Sequence, residues 1–319
     1  MLKETIVFSL TSSIQMTDEI VKYLDIPKGK VKVMHFADGE ICVELEESVR
    51  GRSVYIVQST CNPVTERLME VLVCIDACKR SSAREINVVM PYFGYARQDR
   101  KAAPRQPITA KLVANLLQVA GANRLITIDL HASQIQGFFD IPIDDMTAIP
   151  MLGQYFVEKK FNPDDVVVVS PDHGGTTRAR KLADILNCGL AIVDKRRPKP
   201  NVCEAINIIG EVEGKTCIIV DDMCDTGGSL VAATNILKQF GAGDVYVMIT
   251  HGVFSRNAIE RLESSNIKEV VVSNTIELSP EQLAGMKKIK QISVAYMIAR
   301  TIEAIETHAA VSAVYEEFQ

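Results

Sequence analysis

The sequence lacks a net positive charge, and it lacks any apolar run of membrane-spanning length. Its 35 Lys and Arg residues are outnumbered by 40 Asp and Glu residues, which leaves a formal net charge of −5. No global positive field is therefore available to recruit nucleic-acid phosphates, which argues against a general nucleic-acid binder. An anionic ligand must be held by local clusters, and we expect neither a nucleic acid nor a membrane as a partner.

The sequence also lacks a C-x-x-C pair and a disulfide-dense cysteine pattern. Its eight cysteines are scattered, and Cys74 and Cys78 stand one helical turn apart, which favours core packing over a metal site. In a chain of 319 residues this usage is typical of reduced cytosolic thiols. The N-terminus shows no signal-peptide pattern. We therefore expect a soluble cytoplasmic protein.

The most informative stretch joins an apolar strand, predicted over residues 217–220, to a helix predicted over residues 230–240. A short glycine-rich turn connects them, so several backbone N–H groups of the turn and of the first helical turn have no partner. These groups point at one spot, where the helix dipole favours an anion. Gly227 and Gly228 allow the backbone to approach that anion closely. The pattern predicts a phosphate cradle.

Hydroxyls and carboxylates make this cradle more specific. Thr226 and Ser229 can add hydroxyl donors, whereas Asp221 and Asp222 at the strand end would repel a bare phosphate. Their partner is then a sugar diol or a divalent cation on the same ligand, and a phosphorylated ribose satisfies both halves. The pattern is neither a Walker A loop nor a dinucleotide G-x-G-x-x-G motif. The alternative is an ordinary strand–turn–helix with capping residues, but two consecutive Asp at a buried strand end serve no packing purpose.

The order of predicted elements indicates an internal duplication. Apolar strands alternate with helices along the whole chain, which predicts parallel sheets covered on two sides. Residues 51–59 align with residues 214–222, each with a Gly, a basic residue, a hydroxyl and then an apolar strand. The first copy has Gln58 and Ser59 where the second has the two Asp residues, and it has no glycine-rich turn. We infer that the first copy has lost its cradle.

Residues 217–234 resemble the phosphoribosyl-diphosphate loop of the type I phosphoribosyltransferase fold. Residues 93–100, 170–175 and 194–198 are in addition similar to motifs of the ribose-phosphate diphosphokinases, also called phosphoribosyl diphosphate synthetases, of the phosphate-activated class. The resemblance runs over nearly the whole chain. It implies an α/β protein of two tandem type I phosphoribosyltransferase-like domains, each a mainly parallel sheet flanked by helices. The expected domains are residues 1–149 with the tail from about 305 to 319, and residues 150–304.

This resemblance implies a Mg²⁺-dependent transfer of the β,γ-diphosphoryl group of ATP to the 1-hydroxyl of ribose 5-phosphate. The products are 5-phosphoribosyl 1-diphosphate, a precursor for nucleotide biosynthesis, and AMP. It further implies a homo-oligomer, commonly a hexamer, with phosphate and ADP as effectors. The residues implied to bind ribose 5-phosphate are Arg197, Asp221, Asp222, Asp225, Thr226, Gly227, Gly228 and Ser229.

The resemblance assigns catalysis to Lys195 and Arg197, in a positively charged run between a strand end and two prolines. Such a run is commonly a solvated surface. The functional interpretation is a mobile loop that closes over a triphosphate and delivers its charge when substrate is bound. The phosphate cradle in the same half of the chain favours the second interpretation.

The ATP site is expected in the first copy, partly across a subunit boundary. Residues 97–101 carry charges after the aromatic turn 92–95, and aromatic faces beside guanidinium groups suit a purine with its phosphates. The alternative is a solvated charged loop. By resemblance, the ATP contacts are Asp38, Gly39, Glu40, Arg97 and Gln98.

His131 and Asp172 are Mg²⁺ contacts by resemblance. A lone His more often has a packing or capping role, and a carboxylate is the more natural ligand for this hard ion. The resemblance also suggests a regulatory site for phosphate or ADP at Arg50, Arg105 and Ser312, although a plain C-terminal cap explains these residues almost as well.

Two other functions fit part of the pattern. A phosphoribosyltransferase would use the same cradle, but it would not explain residues 93–100 or a second copy without a cradle. A non-catalytic nucleotide-binding relative would not need Asp172, Lys195 and Arg197 intact.

Overall fold

A computed structural model describes residues 2–196 and 205–318. These residues form two compact units. The first takes the chain up to Thr147 together with Thr275–Glu277 and Ser293–Glu317. The second is built from Ala148–Asn274 and Leu278–Ile292, with Phe318.

The first unit is built on a parallel sheet. Its elements in chain order are β1 (Thr5–Ser9), α1 (Ile14–Leu24), β2 (Val31–His35), β3 (Ile41–Leu45), β4 (Ser53–Val57), α2 (Val64–Arg80), β5 (Glu85–Met90), α3 (Thr109–Ala120), β6 (Arg124–Ile128) and β7 (Ile143–Met146). The sheet has the strand order β1-β4-β5-β6-β7, with every neighbouring pair parallel. The hairpin of β2 and β3 forms a separate antiparallel sheet. All five residues of β4 are buried, as expected for a parallel strand covered on both faces.

The second unit repeats this plan. Its elements are α4 (Ile149–Glu158), β8 (Val166–Ser170), α5 (Thr176–Leu186), β9 (Gly189–Arg196), β10 (Ala205–Ile209), β11 (Thr216–Cys224), α6 (Gly228–Gln239), β12 (Val245–Gly252), α7 (Ala258–Glu263), β13 (Glu269–Ser273), α8 (Pro280–Gly285) and β14 (Ile289–Ile292). The strand order is β10-β9-β8-β11-β12-β13-β14, and the edge strand β10 is antiparallel to β9.

The strand order of the second unit reverses between β8 and β11. The chain leaves β8 towards β9 on one side and leaves β11 towards β12 on the other, so a crevice opens at the carboxyl ends of these two strands. The pairing of β11 with β8 ends at Ile219, whereas its pairing with β12 continues to Cys224. The last residues of β11 therefore border this crevice, where α/β proteins bind ligands.

The end of the chain completes the first unit. Helix α9 (Ala295–Thr307) packs on α1, and its Glu306 carboxylate accepts hydrogen bonds from Ser53 Oγ (2.6 Å) and Tyr55 Oη (2.8 Å). The backbone N–H of Met16 donates to Glu277 at 2.8 Å. A sheet near the N-terminus thus depends on residues that come some 250 positions later in the chain.

The predicted α/β class with parallel sheets flanked by helices is confirmed. Three details of the sequence prediction are wrong. The strand predicted over residues 217–220 runs on to Cys224, because Met223 and Cys224 still pair with β12. Helix α6 begins at Gly228, two residues before the predicted start at Leu230. The order of elements in the duplication also predicts that the strand at residues 190–194 corresponds to the one that begins at Val31, but β2 is not paired with the first sheet, whereas β9 pairs with β8.

In the described part of the chain, no helix combines the length and the apolarity needed to cross a membrane. The cysteines there are free thiols, and Cys74 and Cys78 are buried in the core, as predicted. Cys203 lies outside the described residues.

Candidate active site

The acidic pair of the second unit lies at the crevice where its strand order reverses. Asp221 and Asp222 lie in the C-terminal part of strand β11, beyond the residues that pair with β8. Their side chains are 20% and 6% exposed. Two adjacent carboxylates are thus held in a mostly buried position beside this crevice.

Burial, together with the neighbouring charge of Asp222, raises the pKa of Asp221 to about 8. The Arg178 guanidinium on α5 opposes this rise, since its Nη1 lies 3.8 Å from an oxygen of each carboxylate. A pair under such mutual repulsion gains from any additional cation or hydrogen-bond donor. The pair is therefore suited to a bound ion or to the hydroxyls of a sugar.

Asp172 follows strand β8 on the other side of the crevice. Its Oδ1 accepts the N–H of Gly175 at 2.9 Å, and its carbonyl accepts Ser170 Oγ at 2.6 Å. Gly175 has no room for a side chain, because an added Cβ would lie 2.9 Å from Ser170 Oγ. The tight turn fixes an exposed carboxylate at the strand end. Mg²⁺ is commonly held by one or two carboxylates with substrate phosphates and water, so Asp172 fits that ion.

His173 connects this turn to strand β9. Its Nε2 lies 3.0 Å from Oδ1 of Asp194, a buried residue immediately before Lys195. Lys195 is a residue of β9 and pairs with Ile206 of β10. Arg197 lies outside the described residues.

The predicted cradle lies between β11 and α6. Gly227 is the N-cap of α6 with φ +73°, a left-handed conformation that suits glycine. Gly228 and Ser229 form the first turn of the helix, whose N–H groups have no intrahelical partner. The structure thus places Asp221, Asp222, Asp225, Thr226 and the Gly227–Ser229 segment on one continuous strand–turn–helix.

The predicted ATP contacts belong to the first unit and fall on two segments. Asp38, Gly39 and Glu40 are exposed and form the turn of the β2–β3 hairpin. Asp38 Oδ1 accepts the N–H of Glu40 at 3.1 Å, and Gly39 has φ +93°. The turn holds two carboxylates at the tip of an extended hairpin.

Arg97 and Gln98 lie on the loop between β5 and α3, where Gln98 N–H donates to the Tyr95 carbonyl at 3.0 Å. The expectation that the aromatic residues before them offer their faces to a purine is wrong for Tyr92 and Phe93. Both are buried, and the Phe93 ring packs edge-to-face on Phe139 in the core, at 6.1 Å between centroids.

The exposed aromatic residue near the predicted ATP segments is instead Phe36 on the β2–β3 hairpin. Its side chain is 58% exposed, and its backbone pairs with Glu40. Large exposed aromatic groups on polar turns commonly mark a contact surface. Phe36 matches the family pattern together with Asp38 and Glu40, although it was not among the predicted ATP contacts.

His131 follows β6 in the first unit and is exposed, whereas Asp172 belongs to the second unit. Within the described ranges, no group of three or more His, Cys, Asp and Glu side chains is arranged to hold a metal ion. The proposed regulatory residues are all exposed, and Arg50 donates to Ser82 Oγ at 3.1 Å. The metal and regulatory assignments stay predictions.

Arg178 was not among the predicted site residues. Its signal was available, because a cation in the first turn of a helix opposes the helix dipole and is therefore disfavoured there without a partner. Arg178 is the third residue of α5 and is mostly buried against the two Asp side chains. The position of Arg178 in the first turn of a helix therefore suggested that anionic side chains lie close to it.

Comparison with known proteins gives two family matches within the chain. Residues 5–121 match the profile of the N-terminal domain of ribose phosphate pyrophosphokinase, and residues 195–316 match that of the phosphoribosyl synthetase-associated domain. The chain is 54% identical over 310 residues to a ribose-phosphate pyrophosphokinase of Halalkalibacterium halodurans, covering 97% of each chain. It is 55% identical over 309 residues to the one of Bacillus caldolyticus, again covering 97% of each.

A solved structure shows the same fold over nearly the whole chain. The phosphoribosylpyrophosphate synthetase of Mycobacterium smegmatis is 40% identical, with a TM-score of 0.90. The alignment covers 96% of this chain and 100% of that one.

Proposed function

This chain belongs to the ribose-phosphate pyrophosphokinase family, the enzymes also called ribose-phosphate diphosphokinases, and from that premise we propose its reaction. The anomeric hydroxyl of ribose 5-phosphate attacks the β-phosphorus of ATP. The bond between the β-phosphorus and the oxygen that bridges it to the α-phosphorus breaks, AMP leaves, and the hydroxyl proton is released. The product is 5-phosphoribosyl 1-diphosphate.

One observation carries this proposal. The acidic pair and the turn predicted to bind a phosphate belong to a single strand–turn–helix at the crevice between β8 and β11. Backbone N–H groups at a helix N-terminus suit a phosphate, and the two carboxylates suit hydroxyls. In this proposal, residues Asp225 to Ser229 bind the 5-phosphate, and Asp221 with Asp222 binds the ribose hydroxyls or an attached ion.

Catalysis in this proposal is electrostatic. Lys195 and Arg197 neutralise the charge that grows on the transferred group and on the departing AMP, since phosphoryl-type transfers depend on positioning and charge more than on covalent help. Asp172 and His131 would hold Mg²⁺, which would supply positive charge to the ATP phosphates. The Asp172 turn and its hydrogen bond to Gly175 keep that carboxylate in place at the end of β8.

The remaining assignments complete the proposal. Asp38, Gly39, Glu40, Arg97 and Gln98 bind ATP. Phosphate and ADP act as effectors at Arg50, Arg105 and Ser312. We also propose a cytoplasmic enzyme that works as a homo-oligomer, commonly a hexamer in the family.

The test is to incubate the pure protein with Mg-ATP and ribose 5-phosphate and to measure AMP and 5-phosphoribosyl 1-diphosphate. We expect equal amounts of both. A phosphoribosyltransferase would release no AMP, and a non-catalytic relative would bind nucleotide without turnover. Either result would overturn the proposal. Repeating the assay over a range of inorganic phosphate tests the effector assignment separately.

A further inference from the structure

The turn between β11 and α6 is hydrogen-bonded to the segment that follows strand β12. Three consecutive carbonyls of the turn accept hydrogen bonds from this segment. Phe254 N–H donates to the Cys224 carbonyl at 3.0 Å, and Ser255 N–H donates to the Asp225 carbonyl at 2.8 Å. The third donor is a side chain on α7, since Arg261 Nη1 donates to the Thr226 carbonyl at 2.9 Å.

These bonds determine where the N–H groups of the turn point. In a trans peptide group the N–H is directed opposite to the carbonyl. The N–H groups of Asp225 and Thr226 are therefore directed away from the supporting segment. The next one, of Gly227, interacts with the Cys224 thiol inside the turn, where it opposes the effect of burial on the pKa of that thiol. The bonds from Phe254 and Ser255 thus direct two donors to the other side of the turn, and the bond from Arg261 fixes the peptide group that follows them.

Arg261 also lies directly against the first turn of α6. A Cβ added at Gly228 would be 3.3 Å from Arg261 Nη1, and Nη2 lies 3.5 Å from Asn257 Oδ1. The side chains around it include Leu262, which would meet a Cβ at Gly227 at 3.4 Å. Helix α7 therefore fits against both glycines, and its guanidinium is the charged group at that contact.

We propose that Arg261 is a positioning residue for the 5-phosphate of ribose 5-phosphate. By holding the Thr226 carbonyl behind the turn, it keeps the cradle in the conformation that receives the phosphate. Its positive charge beside the N-terminus of α6 adds to the attraction for the anion. The inference rests on the proposed function of the cradle, and it adds a residue that does not itself touch the substrate.

The test compares Arg261→Gln with Arg261→Lys. Arg261→Gln removes the charge-assisted hydrogen bond to the Thr226 carbonyl. We expect this loss to raise KM for ribose 5-phosphate about tenfold or more. KM for ATP should stay within about twofold, because the ATP contacts lie elsewhere. Arg261→Lys keeps the charge and one donor, so its KM for ribose 5-phosphate should fall between the two.

The matched control is Arg256→Gln, which removes the same charge from an exposed position on the same segment. Its KM for ribose 5-phosphate should equal that of the wild type. An equal rise in Arg256→Gln, an unchanged KM in Arg261→Gln, or a parallel rise of both KM values would overturn the proposal. If Arg261→Gln does not fold, the same comparison with Arg261→Lys decides the question.

Titration calorimetry with ribose 5-phosphate alone separates this inference from the proposed reaction. If the wild type binds the sugar phosphate but forms no AMP, the reaction is wrong. The inference then stands only if Arg261→Gln still weakens that binding. If the wild type turns over and Arg261→Gln binds the sugar phosphate as tightly as the wild type does, the inference alone is wrong.

Discussion

The two units contain the same strand–turn–helix at the same point of their sheets, and they use its backbone differently. In the second unit, the carbonyls of the turn after β11 are bonded to the protein, and its helix begins with two glycines. In the first unit, the N–H groups of the turn after β4 are bonded to the protein as well, and the Ser59 carbonyl accepts Ser12 Oγ at 2.6 Å. Ser59 N–H donates to Ser13 Oγ at 3.0 Å, and Thr60 N–H donates to the Tyr92 carbonyl at 3.0 Å.

The side chains show the same difference. Gln58, at the position of Asp221, is fully buried, and its Nε2 donates to Glu70 at 2.6 Å. Glu70 also accepts from Thr11 Oγ1 at 2.6 Å and from Arg67 Nη1 at 2.7 Å. In the first unit, the position that corresponds to Asp221 is thus occupied by an amide whose donor is satisfied within the protein. A duplicated binding site can be lost by satisfying its donors internally, with the fold unchanged.

The largest expected effect comes from giving the first unit the carboxylate of the second. Gln58→Glu would place two carboxylates in contact in a buried network, because the lost Nε2 donor faces Glu70. We expect it to lower the free energy of unfolding by about 3 kcal/mol or more. Denaturant unfolding measures this change.

The control for Gln58→Glu exchanges the two groups. The double variant Gln58→Glu with Glu70→Gln restores one carboxylate and one amide, so it should recover part of the lost stability. A Gln58→Glu variant as stable as the wild type would show that the first unit still tolerates an acidic pair.

The next largest effect tests whether catalysis depends on Lys195, at the end of strand β9 in the second unit. Lys195→Ala should lower kcat by roughly 10²-fold, with little change in substrate binding, because its charge is used mainly in the transition state. Steady-state kinetics for both substrates measure this split. The matched control is Lys32→Ala, which removes the same charge from an exposed position on strand β2 of the first unit. Unchanged kcat in Lys195→Ala would remove this residue from the mechanism.

A structural feature can be predicted from the sequence when residues close to it in the chain determine it. The apolar pattern predicts a helix over residues 109–120 and a strand over residues 166–170, and helix α3 and strand β8 have these bounds because neighbouring residues determine them. The length of β11 was underestimated, because its last residues are strand only through pairing with β12. The glycine turn that precedes α6 was located from local chemistry alone.

The features that were missed depend on contacts distant in sequence. The Arg261 bond to Thr226 joins residues 35 positions apart, and no local pattern marks it. The burial of Phe93 follows from its packing on Phe139. The location of β2 outside the sheet likewise depends on which strands become neighbours of β1, and β4 occupies that place.

The acidic pair should also give the second unit a distinct dependence on pH. The pKa of Asp221 is raised to about 8, whereas an unfolded chain has its carboxyl near the usual value of about 4. Between these values the folded protein holds a proton that the unfolded chain has released. Stability contributed by this group is therefore present at low pH and is lost as pH rises towards 8.

The measurement is the difference in unfolding free energy between Asp221→Asn and the wild type. It should shift in favour of the variant as pH rises through this window, by at most about 1.4 kcal/mol per pH unit. Asp184→Asn, which changes an exposed Asp on α5, is the matched control. If the difference in unfolding free energy between Asp221→Asn and the wild type does not change with pH, the pKa of Asp221 is not raised in the folded protein.

The smallest effect compares two serines at the two turns. Ser229→Ala removes a hydroxyl from the exposed first turn of α6 and should raise KM for ribose 5-phosphate about three- to tenfold. Ser59→Ala removes a buried hydroxyl that donates to the Thr275 carbonyl at 2.5 Å and accepts from Tyr92 N–H at 3.1 Å. It should lower stability by about 1–3 kcal/mol and leave that KM unchanged. The reverse assignment of the two effects would contradict the comparison.

The contact of α9 with the first sheet has a consequence for synthesis on the ribosome. A nascent chain grows from its N-terminus, so residues 148–274 and 278–292 are made before α9. The Ser53 and Tyr55 hydroxyls must wait for Glu306, and Met16 must wait for Glu277. The first unit, although translated first, is therefore the last to be completed. A polypeptide that terminates before α9 would leave the first sheet without this helix.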